Sequence, residues 1–461
     1  MMDKQTQTAT KVIGAREAVL IGLLKVERER GYSHIVLNQV LSASAMESRE
    51  RKLTTEIFYG SLRMRAAIDF ILSRLLTRPM SEQTAQLLAV LRLSLYQLVY
   101  MERIPDFSVV NEAVKLAKKY CSKQESGVVN AVLRNYLRRK DNLSLPEREQ
   151  GSEYLITTLS HPRWLIEYLL EYQSFDEVEA YCLYNNASHL LSLRTNTLKT
   201  TPEQLLESLA AEGINAHQGR YAPESIIVDE GINLSANSVF KAGLFAPQGE
   251  ASMLAALALS PNPGSVVYDL CAAPGSKSIH MAQLMANEGQ ICAFDIHSSR
   301  IALIKNAAKH LGATIIDCVE ADSRKLPAKF AQGADYLLLD APCSGLGVLS
   351  RRADSRWRKQ LSDIDQIAEL SLELLTAAAK YLRSGGLLCY TTCTITKQEN
   401  FDNLKRFLLA HDDFELMPLT HLLPLFTKQA DKDALEKGYI QLDPYHHGIE
   451  GFFISLLRKT K

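Results

Sequence analysis

The chain has 461 residues, of which 46% are hydrophobic and 23% charged, and its 52 Lys and Arg balance 52 Asp and Glu. That composition supports a sizeable core and, at roughly 100–200 residues per domain, two to four folded units; it excludes a disordered or low-complexity chain. No apolar run reaches the ~20 residues that span a bilayer and Met1 to Lys11 lacks the apolar stretch of a secretory signal, so a cytoplasmic protein without a membrane role is expected.

Residues 1–150 carry 24 Lys and Arg against 16 Asp and Glu, an excess that the rest of the chain cancels. A basic front half suits an anionic partner such as RNA. From Ala15 to about Arg139 the apolar residues recur at helical spacing, as in Ala18-Val19-Leu20, Leu23-Leu24, Leu87-Leu88, Leu91, Leu95 and Leu98-Val99. The spacing predicts an all-helical domain of six or seven helices over 1–145, with Pro79 and Pro105 in connections. Asp141 to Gly151, with Asn142, Ser144 and Pro146, reads as a linker. Leu191 to Asn196 then reads as a strand, and Thr201-Pro202-Glu203 opens a helix, which predicts a small α/β subdomain over 155–240.

The third domain, 241–461, changes rhythm. Short apolar strands alternate with amphipathic helices, which predicts a parallel sheet covered on both faces, a Rossmann-like layout. The predicted strands are Ser265 to Leu270, Gln290 to Asp295, Thr314 to Val319, Tyr336 to Asp340 and Leu387 to Thr392. Ligands of such sheets sit outside the carboxyl ends of the strands. The first strand runs into Asp269-Leu270-Cys271-Ala272-Ala273-Pro274-Gly275-Ser276-Lys277, whose small residues let backbone amides approach a ligand at the start of a helix. Asp295 ends the second strand and suits a pair of ribose hydroxyls; Asp322 follows the third and suits an adenine amino group; Asp340 ends the fourth. A single such carboxylate reads as a helix cap, but four at successive strand ends read as a nucleotide-like cofactor site. A dinucleotide dehydrogenase needs a GxGxxG loop, and only Gly275 is present here.

Eight cysteines without a CxxC pair argue against a disulfide framework and a metal site, so reduced thiols and no metal are expected. Cys292 and Cys389 lie within strands and read as small core residues. Cys343 and Cys393 instead stand at strand ends beside the carboxylates, in Asp340-Ala341-Pro342-Cys343-Ser344-Gly345 and Tyr390-Thr391-Thr392-Cys393-Thr394. Thiols beside an adenosyl cofactor suggest methylation of carbon 5 of cytosine. That carbon is a poor nucleophile until a thiolate adds at carbon 6. The route needs a thiolate, an acid toward the ring nitrogen and a base near carbon 5, for which Cys393, Asp340 and Cys343 are the candidates. For this role Asp340 is expected either to carry a proton, with a raised pKa, or to act on an already protonated ring nitrogen, and the cytosine must be unstacked or flipped out.

With these residues in view, Asp269 to Lys277, Asp340 to Gly347, Tyr390 to Asn400 and Asp443 to Phe453 resemble the Sun/Fmu (RsmB) family of 16S ribosomal RNA cytosine-C5 methyltransferases. Asn111 to Val114 and Gly127 to Arg134 resemble the antitermination factor NusB, which that family carries in front, and Phe245 to Met253 resembles the approach to its catalytic domain. The resemblance implies a multidomain α and α/β chain: a NusB-like RNA-binding domain, the small subdomain, and a class I methyltransferase sheet that uses S-adenosyl-L-methionine. It makes Cys393 the nucleophile and Cys343 the residue that assists product release, a ranking the residues alone leave open. It places the cofactor on Cys271, Ala272, Ala273, Pro274, Gly275, Ser276, Lys277, Asp295, Asp322 and Asp340, and adds Arg300 to the pocket. Arg351, Arg352, Arg356 and Arg358, around Trp357, are expected to grip RNA phosphates. Ser276 stands where the family usually has a second glycine, and Leu346 where it often has threonine. The expected partner is ribosomal RNA, and the expected working form a monomer. The alternative is a non-catalytic RNA-binding, antitermination-like protein with an inactive transferase domain.

Overall fold

A helix that is apolar on all sides belongs inside a domain. The stretch that best fits this description behaves so: in the computed structural model every residue from Leu87 to Gln97 is buried. Its buried Arg92 is paired with Asp69 through two bonds of 2.7 and 2.9 Å. The structure describes residues 13–28, 31–44, 46–229 and 231–461, and the Met1 to Lys11 stretch read above lies outside them. The chain divides into two units. One runs to Ala187 and includes Leu349–Lys359; the other comprises Ser188–Val348 and Gln360–Lys461.

The first unit is helical. It contains α1 (Ala15–Arg28), α2 (Ser33–Ser42), α3 (Ser48–Arg63), α4 (Arg65–Ser73), α5 (Ala85–Tyr100), α6 (Asp106–Tyr120), α7 (Lys123–Arg139), α8 (Arg163–Leu170) and α9 (Phe175–Asn186). Seven of these precede residue 140, as the periodicity predicts. Caps set their starts: Thr84 accepts from the Leu87 amide, and Ser122 with Glu125 forms a capping box. The predicted linker consists of short 3-10 turns at Lys140–Asn142 and Arg148–Gln150, and Leu143 between them packs into the helical core.

The second unit holds two sheets. The smaller contains β1 (Leu191–Thr195), β2 (Ala216–Gln218), β3 (Ser225–Val228) and β4 (Phe245–Pro247), ordered β2-β3-β1-β4 and antiparallel throughout. It carries α10 (Pro202–Ala211), which starts where predicted, with a Thr201 capping box and Pro202 in its first turn, and α11 (Ser238–Lys241). Leu193, Ile226 and Val228 pack against Leu205 and Leu209 of α10.

The larger sheet has eight strands: β5 (Val266–Asp269), β6 (Gln290–Asp295), β7 (Ile316–Glu320), β8 (Ala334–Asp340), β9 (Leu382–Thr392), β10 (Phe414–Leu416), β11 (Tyr439–Leu442) and β12 (Phe452–Lys459). Their order is β10-β12-β9-β8-β5-β6-β7, with β11 paired to β12. The five predicted strands are present and mutually parallel. The expectation of an all-parallel sheet is corrected at one edge, where β12 runs antiparallel to β9, β10 and β11. Short polar-flanked strands such as β10 and β11 lack the continuous apolar runs of strands buried on both faces, which is why periodicity passes over them.

The remaining helices are α12 (Glu250–Leu259), α13 (Ser276–Leu284), α14 (Ser298–Leu311), α15 (Leu361–Tyr381), α16 (Asn403–Ala410), α17 (Gln429–Glu436) and α18 (Pro444–His447). Alternate strand residues serve opposite faces. Val267, Ile291 and Leu338 pack with α12 and α13, while Tyr268, Phe294, Leu337 and Leu339 pack with α15 and α16. Connections leave β5 toward β6 on one side and β8 lies on its other side, so strand order reverses at β5. The crevice outside its carboxyl end is the expected ligand position.

Candidate active site at the strand ends

The loop after β5 is shaped by Gly275, whose φ of 102° lies in the left-handed region and whose position would put a Cβ 3.0 Å from Ile304. The turn is held from within by Gly275 N–H donating to the Ala272 carbonyl at 2.7 Å and by Ala272 N–H donating to Phe294 at 2.9 Å. It delivers Ser276 and Lys277 as the first residues of α13, so the positive end of that helix faces the crevice. Cys271 is half-buried, and burial pushes its thiol up, which keeps it an uncharged turn residue. Pro274 stands exposed at the tip of the loop and Ala273 is half-buried.

The carboxylates at the neighbouring strand ends have local partners. Asp295 accepts from the His297 amide at 3.0 Å and lies 3.9 Å from exposed Arg300, the residue added to the pocket by resemblance. Asp322 accepts from the Arg324 amide at 3.0 Å and from its guanidinium at 2.8 Å, and this bonding holds its carboxyl below the usual range. Arg324, two residues on, was not read from the sequence as a site residue. Asp269 differs from the other three. It is 1% exposed, accepts from the Ser278 hydroxyl at 2.6 Å, and burial, aided by Asp340 and opposed by Ser278 and Lys277, pushes it up to about 7. It is tied to the Ser278 side chain on α13 and closed off from solvent.

At the ends of β8 and β9 the two cysteines meet. Their sulfurs are 3.2 Å apart, and both side chains are half-buried. The hydrogen bond to Cys393, followed by burial, holds the Cys343 thiol well above its ordinary range, so the two sulfurs share a proton and do not both ionise readily. Asp340, at the end of β8, accepts from the Lys277 ammonium at 2.7 Å and from the Thr391 hydroxyl at 3.1 Å. Burial alone would lower the Lys277 ammonium, but Asp340 outweighs it and the net shift is upward. Lys277, expected on the cofactor, thus spends its head group on Asp340, with the Phe452 ring 5.3 Å away.

The two cysteine loops are joined by residues that sequence reasoning passed over. Glu399 is fully buried within a π-helical turn, Gln398–Asp402. It accepts from the Ser344 amide and hydroxyl at 2.5 and 2.6 Å, and from Thr396 at 2.6 Å. Gly347 N–H donates to the Cys393 carbonyl at 3.0 Å, and Gly451 N–H donates to the Gly347 carbonyl at 2.9 Å. A Cβ on Gly347 would fall 1.9 Å from the Gly451 carbonyl oxygen, so only glycine permits this three-way junction. The spacing Thr394 to Asn400, with Glu399 among hydroxyl residues, was the available signal. Leu346, where the family often has threonine, is fully buried. Cys292 and Cys389 are core residues, as read.

The arginine cluster after the Pro-Cys loop is corrected. Arg356 is fully buried and donates to the Ser160 carbonyl at 3.0 Å, the Asn186 side chain at 2.9 Å and the Asn185 carbonyl at 3.1 Å. Trp357 donates to Leu62 at 2.6 Å, and Arg358 pairs with Asp354 at 3.0 Å and donates to the Gly31 carbonyl. These side chains staple Leu349–Lys359 to the helical unit and are not available to phosphates; Arg351 and Arg352 are exposed. Apolar residues around Trp357 would have hinted at burial, but a run of four arginines in eight residues reads as solvated.

Comparison with known proteins agrees with this geometry. Residues 256–458 match the 16S rRNA methyltransferase RsmB/F family, 14–138 the NusB family, and 161–235 the RsmF/B-like ferredoxin-like domain. The chain is 36% identical to the probable ribosomal RNA small subunit methyltransferase B of Bacillus subtilis, over 97% of this chain and 99% of that protein. It is 32% identical to the corresponding Synechocystis protein, over 97% and 100%. Among solved structures, PH0851 superposes with a TM-score of 0.80 at 28% identity over 97% of this chain and all of that one. NSun6 from Pyrococcus horikoshii with SFG gives 0.58 at 26% identity over 65% and 98%. With a helical NusB domain, a small α/β region and a methyltransferase sheet all in place, the chain belongs to the ribosomal RNA small subunit methyltransferase B family.

Proposed function

We propose that this protein methylates carbon 5 of an unstacked cytosine in 16S ribosomal RNA, with Cys393 as nucleophile. The observation that carries the reading is the pair of sulfurs 3.2 Å apart at the ends of adjacent strands, with the Lys277–Asp340 pair at the end of one of them. S-Adenosyl-L-methionine would supply an electrophilic methyl group. The cradle made by the Gly275 turn, the amino end of α13 and the carboxylates of Asp295 and Asp322 fits its groups in kind: backbone amides to donate to its carboxylate, and carboxylates to accept from its ribose hydroxyls and adenine amino group.

The Cys393 sulfur, 3.2 Å from that of Cys343, adds as a thiolate to carbon 6 of the ring and makes carbon 5 electron-rich. The ring nitrogen gains its proton from the Lys277–Asp340 pair, a revision of the isolated carboxylic acid expected from sequence. After methylation Cys343, as thiolate, takes the carbon 5 proton and so assists release: the bond from Cys393 to carbon 6 breaks, Cys393 leaves as a thiolate, and the ring nitrogen returns its proton to the Lys277–Asp340 pair. Glu399 and Gly347 hold the two cysteine loops at this spacing.

The test is transfer of labelled methyl from S-adenosyl-L-methionine to small-subunit RNA that lacks the modification, with the product base mapped by bisulfite sequencing. Incorporation at a single cytosine is expected. Labelling at another base rejects the proposed chemistry, and no labelling at saturating cofactor supports the non-catalytic RNA-binding alternative.

A further inference from the structure

The small sheet has no part in the chemistry above, yet its central strand sends a charged side chain to the cofactor loop. Arg194 lies on β1, in register with Ser225 on one side and Ala246 on the other, and is fully buried. Burying a guanidinium is costly, and here a single nitrogen carries the hydrogen bonds while Nε and Nη2 are buried without one among the described residues. Its Nη1 donates to the carbonyl of Ser276 at 2.6 Å and to the Gln248 side-chain oxygen. Gln248 is fixed in turn: its backbone amide donates to Ser192 at 3.1 Å and its side chain to the Ser252 hydroxyl at 3.2 Å.

Two residues on, Asn196 is also fully buried. It donates to the carbonyls of Gly243 and Leu311, both at 2.7 Å, and accepts from Gln283 at 2.8 Å. The end of β1 and the residue after it therefore grip α13 at its first residue through Arg194 and at its last turn through Gln283, and cap the C-terminal end of α14. The grip at Ser276 is made to backbone, so it sets the plane of the peptide that leads into Lys277. That peptide lies between the Gly275 turn and the side chain that pairs with Asp340.

We propose that Arg194 is a positioning residue for cofactor binding: by holding the Ser276 carbonyl it fixes the backbone of 275–277, and makes the small sheet a working part of the cofactor site. The inference rests on the proposed assignment of the 271–277 loop to the cofactor. It also accounts for the tolerance of serine at 276, since the contact uses the carbonyl and leaves the side chain free to differ.

The experiment measures binding of S-adenosylhomocysteine by calorimetry to the full chain and its Arg194→Met and Arg194→Lys variants, alongside hydrogen exchange of the 275–278 amides and the KM for RNA. Loss of a charged hydrogen bond to the loop is expected to raise the Kd about 10-fold or more in Arg194→Met. Exchange at 275–278 should quicken, the KM for RNA should stay within about twofold, and Arg194→Lys should recover most of the affinity by keeping a donor to Ser276. A folded Arg194→Met with the original Kd, or a Lys variant no better than Met, overturns the proposal. If Arg194→Met does not fold, Gln248→Ala, which removes one anchor of the guanidinium, must weaken binding in the same direction; unchanged affinity there also overturns it. Absence of binding by the unaltered chain would instead refute the assignment of the loop.

Discussion

The strand-end face is held together differently on its two sides. On the β6–β7 side each carboxylate is served by neighbours in sequence: Asp295 by His297 and Arg300, Asp322 by Arg324. On the β8–β9 side the bonds join residues far apart, Lys277 to Asp340, Ser344 to Glu399, Gly347 to Cys393 and Gly451 to Gly347. The difference teaches where damage spreads. A change on the first side loosens one contact of the proposed cofactor site, whereas a change on the second shifts two loops that meet within hydrogen-bond distance.

The largest effect should come from the sulfurs themselves. Cys393→Ala is expected to lower methyl transfer by on the order of 10⁴-fold or more and to form no covalent RNA complex. Cys343→Ala should instead accumulate a protein–RNA adduct that survives denaturing electrophoresis; exchanged outcomes would reverse the two roles. Next comes Glu399→Gln, which keeps the shape of the junction but removes its charge. A displaced sulfur should cost on the order of 10²-fold in kcat. Alkylation of Cys343 should begin at lower pH in this variant, because the Glu399 carboxylate helps to keep the Cys343 proton in place. An unchanged alkylation profile would leave Glu399 a purely structural tie.

On the ligand side, Asp295→Ala should raise the cofactor Kd by about 10-fold with kcat at saturation little altered, as expected for one lost charged hydrogen bond. A comparable fall in kcat at saturation would erase the contrast between the two sides. The smallest effect concerns Asp269, whose carboxyl rises from 3.8 to about 7 on folding. Between those values the folded chain keeps a proton that the unfolded chain has lost, so stability falls as pH rises. The slope approaches about 1.4 kcal/mol per pH unit. Asp269→Asn should remove that slope from thermal unfolding measured at successive pH values between 4 and 7.

The strand-end position of the candidate residues was legible because of where they lie in the chain. Asp295, Asp322, Asp340, Cys343 and Cys393 all follow apolar runs, and a strand's end can be found from the run that precedes it. Seven front helices were likewise readable from periodicity and caps. Asp269 looked equivalent to the other strand-end carboxylates, yet it turns inward to Ser278, because the tight Gly275 turn folds α13 back over it. Arg356 and Arg194 escaped for a related reason. Arginine is a solvated residue by default, and it is acceptors supplied by other segments, the Ser160 and Asn185 carbonyls and Asn186 for Arg356, the Ser276 carbonyl and Gln248 for Arg194, that offset its burial.

The amino-acid order thus determined the elements, their alternation and the chemical groups at their ends, since periodicity, caps and turn residues act over a few neighbouring positions. Only the tertiary structure decided which of those groups face each other: that the Cys343 and Cys393 sulfurs meet, that Lys277 serves Asp340, and that Arg356 anchors a helical unit instead of meeting phosphate. Such pairings depend on strand order and loop closure across 50 or more residues, as from Cys343 to Cys393, where local rules carry no information.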